Sequence, residues 1–129
     1  MSTEPLVDLA AIARRGMEDP EFSRETRFLD GRMKIDLAGH PTVLEFADGS
    51  LVGTSTDVPD EDCEIVVRGD EEQWTNLLEP YPKPFYQCLQ TTAVKHGLYM
   101  STTNETFAYL PALNRLVVLM REARSGEER

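Results

Sequence analysis

The apolar residues of this chain change period twice, and the two switches limit the folds open to it. In residues 5–15, Leu6, Leu9, Ile12 and Ala13 recur at helical spacing, which gives a helix with one apolar stripe. Gly16 closes it. Asp19 and Pro20 then supply an N-cap and first helical position for a second helix, which carries Phe22, Phe28 and Leu29 and ends near Asp30-Gly31. From Arg32 the period is two. Met33, Ile35 and Leu37 alternate with Lys34 and Asp36, the pattern of a half-buried strand. His40-Pro41 is expected to break it. Residues 42–46 and 51–55 read as two more strands, joined through Ala47-Asp48-Gly49-Ser50, whose Asp-Gly pair favours a tight hairpin. An acidic loop leads to a strand at 63–67. The four strands are expected to form an antiparallel meander.

At Asp70 the period becomes helical again. Asp70 can cap a helix over 71–78, with Glu71 and Glu72 in its first turn, where the helix dipole favours acids. Pro80, Pro82 and Pro84 forbid its continuation and force an elbow. Residues 85–96 read as the next helix, closed by Gly97, and 98–101 as a short strand. Thr102 and Glu105 have capping-box spacing. They open a last helix whose apolar set is Phe107, Leu110, Leu113, Leu116, Val117 and Met120. Pro111 should kink or divide it, and the charged tail from Arg121 should fray.

Strands followed by helices indicate an α+β fold, here an antiparallel sheet of about five strands with helices packed on one face. Residues 1–129 fit one domain: N-terminal helices at 5–29, sheet and helices at 32–121, and a charged tail at 122–129. A net charge of −10 argues against nucleic acid and against an anionic membrane surface. No segment approaches the roughly 20 apolar residues of a membrane span, and the first residues lack the pattern of a signal peptide. Cys63 and Cys88 read as reduced core residues. The cytoplasm is the expected compartment.

Candidate chemistry is sparse. His40 reads as an exposed loop residue, and His96 as an imidazole favoured by a helix C-terminus. Asp57, Asp60, Glu61 and Asp62 miss the calcium-loop template and read as a solvated charged loop. Ser55, Ser101, Thr91 and Thr92 lack a positioned base. No catalytic residue, metal site or cofactor is expected.

The hairpin through Asp48-Gly49, the strand at 63–68 followed by EEQWTNLL, the helix ending at His96-Gly97, the strand GLYMS and the closing amphipathic helix resemble the sterol carrier protein 2-like domain family over residues 28–120. Two differences stand out: Thr102-Thr103-Asn104-Glu105 replaces the usual Gly-Asp pair, and EPYPKPFY replaces a short Gly-containing turn. The resemblance implies an apolar tunnel between sheet and helices for a sterol, an acyl chain or an acyl-CoA. It also implies accessory domains of enzymes, and no catalytic residues. By resemblance and apolar pattern, the pocket set is Trp74, Leu77, Leu78, Phe85, Leu89, Leu98, Met100, Phe107, Leu110, Leu113 and Val117. Two functions are therefore expected. One is a non-enzymatic carrier of an apolar small molecule or lipid. The other is an accessory subunit or dimerisation module for an enzyme with a hydrophobic substrate, meeting a partner enzyme or its own second copy through Tyr81, Phe85 and Tyr86.

Overall fold

The computed structural model describes residues 4–126. Helix α1 (Leu9–Gly16) starts later than its apolar stripe does, because the Asp8 carboxylate accepts from Ala11 N at 3.2 Å and fixes the N-cap there. Helix α2 (Pro20–Glu25) begins as expected, with Asp19 as N-cap and Pro20 as first residue. It is shorter than expected. Phe28 adopts a positive φ of 78° and stands exposed, while Leu29 turns into the core.

Five strands follow: β1 (Gly31–Leu37), β2 (His40–Ala47), β3 (Ser50–Ser55), β4 (Ile65–Gly69) and β5 (Tyr99–Met100). Their order across the sheet is β3-β2-β1-β4-β5. The expected α+β architecture is present, but the antiparallel meander is not. The chain after β3 crosses to the far side of β1, where β4 joins it in parallel, Met33 beside Ile65 and Ile35 beside Val67. The sheet is therefore mixed. His40-Pro41 does not break the chain either; the turn lies one step earlier, at Ala38 (φ 54°) and Gly39 (φ 91°). Asp48 and Gly49 make the second such turn, φ 55° and 84°, the positive pair that a two-residue hairpin requires.

The helical half comprises α3 (Glu71–Leu77), α4 (Leu89–His96), α5 (Asn104–Ala108) and α6 (Leu110–Gly126). Asp70 and Gln73 form a reciprocal capping box at the start of α3. α4 starts at Leu89 rather than at residue 85, so the irregular elbow runs on to Cys88. Its first amide is held from afar, by Asn114 Oδ1 at 2.9 Å. The cap of α5 is Thr103, not Thr102. The Thr103 hydroxyl accepts from Thr106 N at 3.1 Å and donates to Glu64 O at 2.8 Å, tying the cap to the residue before β4. The last helix is divided, as Pro111 requires, and Pro111 occupies the second position of α6. α6 does not fray at Arg121 but continues to Gly126; residues 127–129 of the expected tail lie outside the described residues.

The pleat separates two faces. Met33, Ile35, Leu37, Leu44, Phe46, Ile65 and Val67 enter a single core with Leu9, Ile12, Phe22, Trp74, Leu77, Leu89, Leu113, Leu116 and Met120 from the helices. α6 closes this core by packing on both α1 and α2. The opposite face carries Lys34, Asp36 and Arg68. There the acidic loop is not merely solvated: Lys34 Nζ donates to Val58 O at 2.8 Å and pairs with Asp60 at 2.9 Å, and Arg68 also pairs with Asp60. These cations, Lys34 first, hold the Asp60 carboxyl below its usual range.

Gly69 ends β4 where the helical half meets the sheet. A Cβ there would lie 2.6 Å from Leu98 Cδ1 and 2.8 Å from Trp74 Nε1, closer than packed atoms tolerate. Gly69→Ala is expected to cost about 1–2 kcal/mol through overpacking, read as a lower urea midpoint with an unchanged m-value.

Candidate functional site

The elbow between α3 and α4 is the least regular part of the helical half, and the sequence-predicted pocket residues gather around it. Trp74 and Leu77 lie on α3 and Leu78 follows it; all three are buried. The indole is fixed by a 2.9 Å hydrogen bond from Trp74 Nε1 to Asp36 O on β1. α3 ends under Arg121 of α6, whose Nε and terminal nitrogen donate to Leu77 O at 3.0 and 2.7 Å. This guanidinium satisfies a carbonyl that the helix leaves unpaired, and burial pulls its pKa below the usual value.

Beyond Leu78 the chain exposes Tyr81 and Phe85 and buries Tyr86. Phe85 sits at φ 72°, a region that a bulky residue rarely adopts. Its backbone is clamped there. The Thr92 and Thr91 hydroxyls donate to Phe85 O at 2.8 and 3.1 Å, and Phe85 N donates to Gln87 Oε1 at 2.8 Å. Tyr86 stacks flat on His96 at the end of α4, with centroids 4.0 Å apart and planes 5° apart, and the Phe85 ring stands 6.4 Å from the same imidazole. The helix end itself is closed by Gly97 in the left-handed region. The carbonyl of His96 is taken by Gln73 Nε2 at 2.6 Å.

Leu89, Leu98, Leu113 and Val117 join Trp74, Leu77 and Leu78 in the core, and Met100 and Leu110 pack half-buried against it. Phe85 and Phe107 face solvent. The structure thus brings most of the expected pocket residues into contact as a packed cluster, with the two phenylalanines at its outside. Residues that pattern reading missed are Asn114 and Arg121, while Tyr86, expected on an exposed elbow, is buried. Asn114 and Arg121 gave a usable hint, being polar positions on a helix whose other inward residues are apolar.

A separate open groove of about 760 Å3 lies at the sheet end where the β1–β2 turn meets the start of α3. Asp36, His40, Arg68, Asp70, Gln73 and Tyr99 are among its lining residues, and none of the expected pocket set is. His40 belongs to β2 and is half-buried, rather than being an exposed loop residue. Arg68 lies over the Tyr99 ring at 5.1 Å. Its charge is already answered by Asp36 and Asp60, so the groove offers no uncommitted charge from that side chain. Cys63 and Cys88 are free thiols, and burial raises the Cys63 pKa. Among the described residues no cluster of His, Cys, Asp and Glu is placed to hold a metal, and no helix is long and apolar enough to cross a membrane.

No family model and no curated protein matches the sequence. Solved structures do. A crystal structure of sterol carrier protein 2 superposes with a TM-score of 0.68 over 92% of this chain and 98% of its own, at 18% identity. The fold is that of sterol carrier protein 2. A solution structure of a conserved hypothetical protein from Thermus thermophilus, itself a candidate sterol carrier protein, superposes with a TM-score of 0.63 over 94% of this chain and 90% of its own, also at 18% identity. A sterol carrier protein 2 fold therefore underlies the elbow, the imidazole stack and the packed cluster, whose side chains are this chain's own.

Proposed function

We propose that the protein binds an apolar small molecule, such as a sterol or fatty acyl lipid, without transforming it. The site would lie between the sheet and the cover formed by α3, the elbow, α4 and α6. The single observation that carries this reading is the elbow. Over the Trp74–Leu89–Leu98 part of the core, the cover is not a continuous helix but an irregular, aromatic-bearing strap with a strained residue at Phe85. Such a segment can lift without unfolding a helix. The fold shared with sterol carrier protein 2 supports the same reading. Binding would come from burial, at about 0.8 kcal/mol per CH2 before ordering costs. Among the described residues, none are arranged as a nucleophile with its base or as an acid–base pair, and the proposal assigns no catalytic role.

Native mass spectrometry of freshly purified protein, followed by organic extraction, tests the proposal. A stoichiometric apolar adduct, or one formed on adding dodecanoic acid or cholesterol, is expected. A mass that stays that of the bare chain with both additives would overturn it.

One observation favours a second reading, a dimerisation or accessory module. Tyr81 is 93% and Phe107 61% exposed, and aromatic side chains of this kind are favoured at interfaces. Light scattering at micromolar concentration would then show a dimer that Tyr81→Ser and Phe107→Ser together abolish. A monomer at all concentrations removes the self-association form of this reading.

A further inference from the structure

Nearly all buried polar side-chain atoms find a hydrogen-bond partner, and an exception calls for a reason. Among the described residues, the exception is His96 Nε2, shut from solvent and without a partner. Helix capping does not account for it, because Gly97 closes the helix and Gln73 takes the His96 carbonyl. The ring lies flat on Tyr86, with 4.0 Å between centroids, and the stack fixes its plane. Tyr86 in turn belongs to the same core cluster as Trp74, Leu78, Leu89 and Leu98. The unpaired nitrogen therefore sits at the border between that cluster and the elbow. Above it, Phe85 is held by Thr91, Thr92 and Gln87 at a φ that a phenylalanine disfavours. A strained residue beside an unsatisfied polar atom is an arrangement expected of a binding site rather than of a finished core.

We infer that His96 Nε2 is the polar anchor of the apolar site and that it takes the hydroxyl group of a ligand whose remainder is hydrocarbon. The inference rests on the apolar-ligand reading given above. A hydroxyl is the group that fits either neutral tautomer: it donates to a bare Nε2 and accepts from an Nε2–H. A ketone or ester oxygen serves only the second tautomer. A carboxylate likewise serves only that tautomer and buries a charge beside apolar side chains, a costly arrangement. Lys95 is exposed, with its ammonium 5.2 Å from the Phe85 ring centroid. The Phe85 ring stands 6.4 Å from the imidazole, and with the elbow displaced the hydrocarbon part of the ligand would lie along Tyr86 toward Leu89 and Leu98.

Matched probes test this: 1-dodecanol and 1-fluorododecane, which carries in place of the hydroxyl a fluorine that cannot donate and accepts very weakly. The wild type is expected to bind the alcohol about tenfold more tightly, the worth of one hydrogen bond that rescues an unpaired buried nitrogen. His96→Phe should bind the fluoride as the wild type does and lose the preference. His96→Gln, which keeps a donor and an acceptor on a side chain of similar reach, should retain part of it. In the wild type, the 15N resonance of His96 Nε2 should move on adding the alcohol and stay in place with the fluoride. Equal affinities in the wild type, a preference that survives in His96→Phe, or a stationary Nε2 resonance would each overturn the anchor while leaving the apolar-ligand reading intact. Binding of neither probe would overturn both.

Discussion

Trp74→Ala is expected to destabilise the domain by about 3–5 kcal/mol, a large share of the 5–15 kcal/mol typical of a whole domain. The indole is 1% exposed, so the substitution opens a cavity that the short α3 and the sheet cannot close. It also removes the donor to Asp36 O, 2.9 Å away on β1, and loosens the join between the helical half and the sheet. Trp74→Phe separates the two contributions. It keeps most of the buried area and leaves the Asp36 carbonyl without this donor, for an expected cost of about 1–2 kcal/mol. Chemical denaturation of the three proteins checks the order. An alanine variant within 1 kcal/mol of the wild type would show that the indole packs far less tightly than described.

Asp19→Ala is expected to cost about 2–4 kcal/mol, and its effect should depend on pH. The Asp19 carboxylate accepts from Phe22 N at 2.7 Å as the cap of α2, and receives Arg115 Nε and its terminal nitrogen at 3.0 and 2.8 Å. The fork geometry fixes α6 against the start of α2. Losing the cap costs about 1 kcal/mol, and a half-buried Arg115 left without its main partner costs a further 1–3. The hydrogen bonds from Arg115, then from Phe22, lower the Asp19 pKa from 3.8 to about 2. A carboxyl that is more acidic in the folded state stabilises it above the unfolded pKa. That contribution is complete above about pH 4 and fades as the pH falls toward about 2. At about 1–2 kcal/mol after solvent screening, it should appear as a loss of wild-type stability on acidification that Asp19→Asn does not share. Parallel pH profiles for wild type and Asp19→Asn would contradict this account.

The sequence carried the elements better than their assembly. Local chemistry decided the Asp48-Gly49 hairpin, the Asp19-Pro20 start of α2, the Asp70 cap and the division at Pro111, and each is present. The register of β4 was not legible, because period-two alternation is the same for a parallel neighbour as for an antiparallel one. Helix starts slipped where a distant residue sets the cap. Asn114 holds the first amide of α4 and Glu64 receives the Thr103 hydroxyl, and neither pairing leaves a trace in local spacing. The acidic loop read as solvated because its cations, Lys34 and Arg68, lie on other strands.

The candidate site was legible as a group and illegible in its polar detail. Apolar spacing found Trp74, Leu89, Leu98 and Leu113, which do meet. It placed Phe85 and Phe107 on inward stripes, whereas Phe85 precedes its helix and Phe107 faces out of the short α5. Nothing in the pattern pointed to the stack of Tyr86 on His96. The two residues are ten positions apart across a helix that had been expected to contain them both.

The clasp of α6 over α1 and α2 bears on how the chain is made. Both hairpins of β1, β2 and β3 close within a short stretch and can form while the polypeptide is still emerging from the ribosome. The apolar stripes of α1 and α2 are covered only in part so early: α1 can pack on β2 and β3, but the helix that packs on both begins at Leu110. The first-made helices therefore wait through the synthesis of nearly the whole domain before the last-made one shields them. During that interval their remaining surfaces, together with the inner face of the sheet, are left open to chaperones or to a neighbouring chain.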